Sequence, residues 1–254
     1  MTELSLTLVQ SHLIWEQPKA NLSYFGQLLQ SVKQTDVIIL PELFSTAFSL
    51  SAKAESMDGE SVQWMLNLSK EKNALILGSL LIEDNGYKYN RLICAFPDGS
   101  VQHYDKRHLF TLMKEESFIH KGDRRLTVEY KGWRICPLIC YDLRFPVYSR
   151  NTDDYDILVY VANWPITRIQ HWNQLLIARA IENQSYVVGV NRVGEDVNGI
   201  KYNGQSAVID ASGHIIYIGG EKEALKTVVV SKDSLQSARN KFPFLQDADK
   251  FTIH

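Results

Sequence analysis

Three cysteines in 254 residues, Cys94, Cys136 and Cys140, are too few and too odd in number for a disulfide framework. Reduced thiols are expected instead, and with them the cytoplasm. No apolar run approaches the ~18–20 residues needed to cross a bilayer, so no membrane partner is expected. The opening Met1-Thr2-Glu3-Leu4-Ser5-Leu6 lacks the basic and then apolar order of a secretory signal. Charge of neither sign prevails. Lys and Arg number 27 against 29 Asp and Glu, a net charge of −2, which argues against a surface built for nucleic acid. Missing too are internal repeats, low-complexity tracts and any linker rich in Pro, Gly and Ser, so a single domain over residues 1–254 is expected. No Gly-x-Gly-x-x-Gly, phosphate-binding loop or Gly-x-Ser-x-Gly elbow occurs.

What is present is an ordinary globular composition, 45% apolar and 22% charged, with short apolar runs from end to end. Residues 4–9 alternate apolar and polar, and 128–135 do so less cleanly, as half-buried strands do. Residues 37–40, 74–81, 157–161 and 186–190 are continuous and β-rich, the pattern of buried central strands. Turn chemistry predicts three hairpins, at Pro97-Asp98-Gly99-Ser100, Lys131-Gly132 and Ala211-Ser212-Gly213. Apolar stripes at spacings of three and four predict helices over 18–33, 62–72 and 169–182. Strands alternating with helices indicate α/β layers.

Three segments follow apolar strands: Leu40-Pro41-Glu42-Leu43-Phe44, Tyr104-Asp105-Lys106-Arg107-His108, and Cys140-Tyr141-Asp142-Leu143-Arg144-Phe145-Pro146. Polar groups at strand ends are well placed to line a crevice. Taken singly, each has an ordinary reading: Glu42 as a solvated acid, Lys106 as a surface charge, Cys140 as core filler. Cys136 and Cys140, four apart, do not make a zinc pair, because Pro137 and the β-rich context oppose a helix and no nearby His completes the set. His108, His120 and His171 are available to a cysteine, but none carries a papain or caspase signature.

Together the three segments resemble the Glu, Lys and Cys motifs of the nitrilase (carbon–nitrogen hydrolase) superfamily, in that family's order. Val161-Ala162-Asn163-Trp164-Pro165, Ala178-Arg179-Ala180-Ile181-Glu182-Asn183-Gln184, Asn191-Arg192-Val193-Gly194 and Tyr202-Asn203-Gly204-Gln205-Ser206 extend the resemblance over nearly the whole chain. The Cys140 segment, Asn163-Trp164-Pro165 and the ending from Lys241-Phe242-Pro243 to Asp247-Ala248-Asp249 are similar to the bacterial ω-amidase branch. The resemblance implies a four-layer αββα sandwich, commonly paired into a homodimer, with the last ~15 residues a tail at the subunit interface. It implies hydrolysis of 2-oxoglutaramate and 2-oxosuccinamate to the keto dicarboxylate and ammonia, with no metal and no cofactor. Another carbon–nitrogen hydrolase, acting on carbamoyl amines or deaminated glutathione, is the alternative, and a catalytically silent binding protein on the same fold is a third reading.

The roles implied are Cys140 as nucleophile, Glu42 as base and Lys106 as the cation beside the oxyanion. Apolar Ile38, Ile39, Leu40 and Leu43 are expected to surround Glu42 and desolvate it. A second glutamate in the loop after the lysine motif is Glu115 or Glu116; counting from Phe110 to Gly122, Glu115 matches without a gap. A keto-acid carboxylate calls for a bidentate cation, for which Arg144 is the first candidate and Arg168 the second. Arg144 could equally be held in a structural ion pair with Asp142 or Glu182. Trp164 and Tyr141 are candidates for pocket walls, and Cys94 and Cys136 are read as buried strand residues without chemistry.

Overall fold

In the computed structural model, which describes residues 2–253, the chain opens with β1 (Glu3–Gln10), α1 (Pro18–Leu29), β2 (Val37–Ile39), α2 (Glu60–Lys72), β3 (Leu75–Asp84), β4 (Tyr87–Ala95) and β5 (Val101–Asp105). It continues through β6 (Val128–Tyr130), β7 (Trp133–Ile139), α3 (Pro146–Ser149), β8 (Ile157–Ala162), α4 (Ile169–Asn183) and β9 (Tyr186–Asn191). The last elements are β10 (Val193–Glu195), β11 (Lys201–Asn203), β12 (Ala207–Ile209), β13 (Ile215–Ile218), β14 (Ala224–Ser231) and α5 (Lys232–Lys241). Two six-stranded sheets result, ordered β14-β1-β2-β3-β4-β5 and β13-β12-β9-β8-β7-β6, with β10 and β11 as a separate hairpin.

Strand alternation sorts the side chains into layers. Leu4, Leu6 and Leu8 of β1, Val37 and Ile39 of β2, and Leu75 and Leu77 of β3 share one buried core with residues of β7, β8 and β9. Ile38, Ile76 and Ile93 are one residue out of step with that set and pack against Phe25 of α1 and Val62 and Met65 of α2. On the second sheet, Trp172 and Leu176 of α4 lie over β9. A Cβ on Gly189 would stand 2.6 Å from the Trp172 ring, so glycine is what permits that approach. Helix, sheet, sheet, helix is the expected αββα order.

The strands β1, β2 and β3 run parallel, as do β7, β8 and β9. Their C-terminal ends open on the same end of the sandwich, where a crevice is available to ligands. α1 stops at Leu29, short of residue 33, because the chain turns there through Val32 N–H to Leu29 O while keeping Val32 buried. The periodicity does not predict the hairpin joining β3 to β4, although Asn85-Gly86 is a strong two-residue turn signal; both residues hold positive φ, +51° and +80°. It also does not predict β10, β11, β14 or α5. The expected C-terminal tail begins inside α5, and Gln184 holds the chain beyond it, bonding Phe242 O through Nε2 and Leu245 N–H through Oε1.

Candidate active site

Glu42 follows β2 on a short path fixed by β3. Leu40 N–H donates to Leu77 O at 2.7 Å, Leu43 N–H to Ser79 Oγ at 2.8 Å, and Phe44 N–H to Ser79 O at 3.2 Å. These bonds hold Leu43 at a φ of +47°, turning the fully buried Glu42 side chain into the end of the sandwich. Lys106 follows β5, its N–H donating to Asn90 O of β4 at 3.0 Å. Gly122 N–H then closes on Lys106 O at 2.9 Å, and a Cβ on Gly122 would lie only 2.2 Å from Asp105 O.

The structure brings Glu42, Lys106 and Glu115 into one buried ion cluster. Lys106 Nζ lies 3.1 Å from Glu42 Oε1 and 2.9 Å from Glu115 Oε1, with all three side chains at most 1% exposed. Glu115 also accepts the Phe110 N–H through Oε2, whereas Glu116 is exposed. Burial alone would lower the Lys106 pKa, but the charges of Glu115 and Glu42 outweigh it and hold the ammonium protonated. Burial raises the Glu115 pKa, and repulsion from Glu42 adds to that against the pull of Lys106. Around Glu42 the environment differs from the apolar one expected. Ile38 and Leu40 point into the helical layer, and the carboxylate meets donors: Asn90 Nδ2 at 2.9 Å and Lys106 on Oε1, and Asn163 N–H at 2.8 Å on Oε2.

Cys140 begins a tight 3₁₀ turn, Cys140–Arg144, directly after β7, and holds a φ of +42°. Asp142 fixes that turn to the Lys106 segment: it accepts from Ile139 N–H, from the Tyr104 hydroxyl and from His108 N–H, and pairs with His108 Nδ1. Tyr104 and His108 flank Lys106 in the chain, so one buried carboxylate sets the lysine relative to the cysteine. Arg179 of α4 braces the turn from outside through Nη2 to Leu143 O at 2.6 Å. Burial, then the negative charge of Glu42, push the Cys140 thiol well above its ordinary pKa, and Lys106 opposes this without prevailing. The Asn163 N–H, bonded to Glu42, acts on the thiol in the same direction as Lys106. Such a thiol rests protonated and becomes nucleophilic only as its proton leaves.

Cys140 and Lys106 open into a small cleft at this end of the sandwich. Tyr141, Arg144, Trp164 and Arg168 line it. Tyr141 packs against Phe110 and Phe145 at ring separations of 4.9 and 5.2 Å. Trp164 is locked by Asn191, which bonds its N–H and its carbonyl, and by its own indole N–H to Arg168 O at 2.7 Å. The Arg144 guanidinium lies 4.7 Å from the Trp164 ring centre and 3.2 Å from His171 Nδ1. It is not ion-paired to Asp142 or Glu182: the first is held by His108 and the second by Arg179. Among the described residues neither Arg144 nor Arg168 meets a carboxylate, and burial with the charge of Arg168 lowers the Arg144 pKa.

Sequence reasoning missed Asn90, which touches Glu42, and Phe48 and Tyr202, which line the cleft. Phe48 places its ring 5.6 Å from Lys106 Nζ. Tyr202 comes from β11, part of the hairpin that the periodicity did not predict.

A sandwich carrying an acid, an ammonium and a thiol at its strand ends is the arrangement of one enzyme class. The carbon–nitrogen hydrolase family model matches residues 5–240, and the chain belongs to that family. Within it, the chain is similar to omega-amidase YafV of Yersinia enterocolitica, at 46% identity with 100% of both chains covered. It is also similar to the 2-oxoglutaramate amidase of Bacillus subtilis, 31% identical, covering 97% of this chain and 98% of that one. Among solved structures, a CN-hydrolase superfamily protein of Xanthomonas campestris with an arsenic adduct in its active site matches with a TM-score of 0.98. That protein is 43% identical, with 100% of both chains covered.

Proposed function

We propose that the chain is an ω-amidase hydrolysing 2-oxoglutaramate, and 2-oxosuccinamate, to the keto dicarboxylate and ammonia. The observation that carries this is the buried Glu42–Lys106–Glu115 cluster beside Cys140, in a small cleft whose two guanidiniums meet no carboxylate among the described residues. Cys140 Sγ attacks the amide carbon as Glu42 takes the thiol proton. The oxyanion of the tetrahedral intermediate is stabilised by Lys106 Nζ and by the N–H of Tyr141. Glu42 returns its proton to the leaving nitrogen, the C–N bond breaks, ammonia departs and an acyl thioester remains on Cys140. Water then adds to the thioester as Glu42 accepts its proton. The C–S bond breaks, the sulfur regains a proton from Glu42, and the carboxylic acid leaves. Glu115 keeps Lys106 charged and in place. Every step uses groups of the chain, with no metal or cofactor.

The second carboxylate of the substrate lies against Arg144, with Arg168 beside it and Trp164 and Tyr141 as walls. A guanidinium that meets no carboxylate among the described residues and lies over an indole is pre-organised for such a group. The cytoplasm suits a reduced nucleophile, and all three cysteines are unpaired; no helix among the described residues is long and apolar enough to cross a membrane. A homodimer is supported by exposed apolar side chains near the ends of α3 and α4 and the C-terminal segment: Val147, Ile181, Phe242 and Phe244, the last two stacked at 5.5 Å.

The test of the activity is ammonia release compared as kcat/KM across keto-acid half-amides, carbamoyl amines and nitriles, with Cys140→Ala as the blank. Preference for 2-oxoglutaramate supports the proposal. Preference for a carbamoyl amine moves the chain to another branch, and no release from any short ω-amide leaves a silent binding protein.

A further inference from the structure

We infer that Asn90 is a positioning residue for Glu42, holding its carboxylate through Oε1; this rests on the reading of Glu42 as the base for Cys140. On β4, Asn90 shares its face of the strand with Leu92 and Cys94, both in the core between the sheets. A buried amide in that row breaks the apolar pattern at the end nearest the site. Its Nδ2 donates to Glu42 Oε1 at 2.9 Å, while its Oδ1 is buried with no partner among the described residues. The reverse orientation of the amide would set its oxygen against the carboxylate, acceptor to acceptor, so the donor must face Glu42. An apolar residue here would avoid the unsatisfied oxygen. What asparagine adds is the bond to Glu42.

That bond completes the set of donors around the carboxylate. Oε1 receives Asn90 and Lys106, two side-chain donors that stabilise negative charge there. Oε2 receives the Asn163 N–H at 2.8 Å and the Asn163 Nδ2 at 3.3 Å. Both oxygens of the buried anion are therefore held by two donors each, and Asn90 supplies one of the four. Asn90 also accepts the Lys106 N–H through its backbone carbonyl at 3.0 Å, so one strand position holds both members of the ion pair. The other titratable groups acting on Glu42 are Glu115 after β5, Cys140 after β7 and Tyr202 of β11.

Removing a donor from an anion raises the pKa of its acid, so the acidic limb of kcat/KM must move upward. In Asn90→Ala the limb for 2-oxoglutaramate hydrolysis is expected to rise by about one to two pH units, the equivalent of one charge-assisted hydrogen bond. In Asn90→Asp, which keeps the shape but replaces a donor with an acceptor, it is expected to rise further. A more basic Glu42 draws the thiol proton more strongly. Alkylation of Cys140 by iodoacetamide at pH 7 is therefore expected to quicken about tenfold for each pH unit by which the limb rises. Acidic limbs within a few tenths of a pH unit of wild type in both variants, or unchanged alkylation, overturn the inference. So does loss of the native near-ultraviolet circular dichroism in both, which would make Asn90 a residue of the fold and not of Glu42. The alkylation arm needs no substrate. Failure of wild type to hydrolyse any ω-amide would end the functional reading while leaving the hold on Glu42 to be decided separately.

Discussion

Glu115 and Glu116 are neighbours in sequence with opposite surroundings, one buried on Lys106 and the other in solvent. Glu115→Gln keeps the shape but removes one of the two charges that hold the ammonium, leaving Glu42 as its sole ionic partner. Glu42 is then bound more tightly and is a weaker base. A loss in kcat of at least about a hundredfold is expected for Glu115→Gln, against less than about twofold for Glu116→Gln, in matched steady-state assays. Equal small effects would mean that Glu115 only fills space. Arg144 is separable in the same way. If it binds the substrate carboxylate, Arg144→Ala raises KM for 2-oxoglutaramate by about a hundredfold and hardly alters that of a neutral short amide. Equal losses on both would assign it to the fold of the cysteine turn. The Glu42, Lys106 and Cys140 segments were legible as an ordered set, each after an apolar strand, through their resemblance to one family's motifs; singly, each had an ordinary reading. Asn90 was not, because its meaning depends on a residue 48 positions away. That Arg144 meets no carboxylate among the described residues was also hidden, since it turns on what Asp142 and Glu182 bind elsewhere.

At the scale of elements, the pieces read from turn chemistry or a one-sided apolar stripe were legible: the three hairpins and the bodies of α1, α2 and α4. Those missed lie where tertiary contact or exposure blurs the pattern. β14 is an edge strand whose alternate residues face solvent, with Val229 exposed and Val230 buried. β10 and β11 are three residues each, too short to show a period. Gly189 shows the same gap from the other side. Inside a buried β-rich run a glycine reads as a weakness, yet it is where α4 meets β9. Gly189→Val would drive a side chain into the Trp172 ring and Leu176. A loss of roughly 1–3 kcal/mol in urea unfolding is expected, since neither the helix nor a central strand can yield freely. A change below a few tenths would show that α4 shifts without cost. Because α4 carries Arg179, which braces the cysteine turn, activity should fall with stability.

Over the whole molecule, the two ends of the sandwich do different work. At the catalytic end, charged and polar groups are buried between the sheets, an arrangement that costs desolvation. At the opposite end, ion pairs tie one sheet to the other. Asp36, ahead of β2, pairs with Lys131 of the β6–β7 turn at 2.5 Å, and Lys232, after β14, pairs with Asp156, ahead of β8, at 2.5 Å. Burial alone would raise the Asp36 pKa, but the bonds from Lys131 and from the Ser5 hydroxyl and N–H outweigh it and hold the carboxyl below its ordinary value of 3.8. An acid with a depressed folded pKa contributes stability in full above its unfolded pKa and loses it as pH falls through the folded value. The contribution of Asp36 is therefore complete at neutral pH and fades below about pH 4. Asp36→Asn is expected to lower Tm by a few degrees at pH 7, about the effect of one lost charge-assisted bond in a chain of this size. The gap from wild type should then narrow steadily toward pH 3. A gap that stays constant from pH 7 to pH 3 would mean that the asparagine disturbs packing, and that the sheets are held at this end by their apolar core alone.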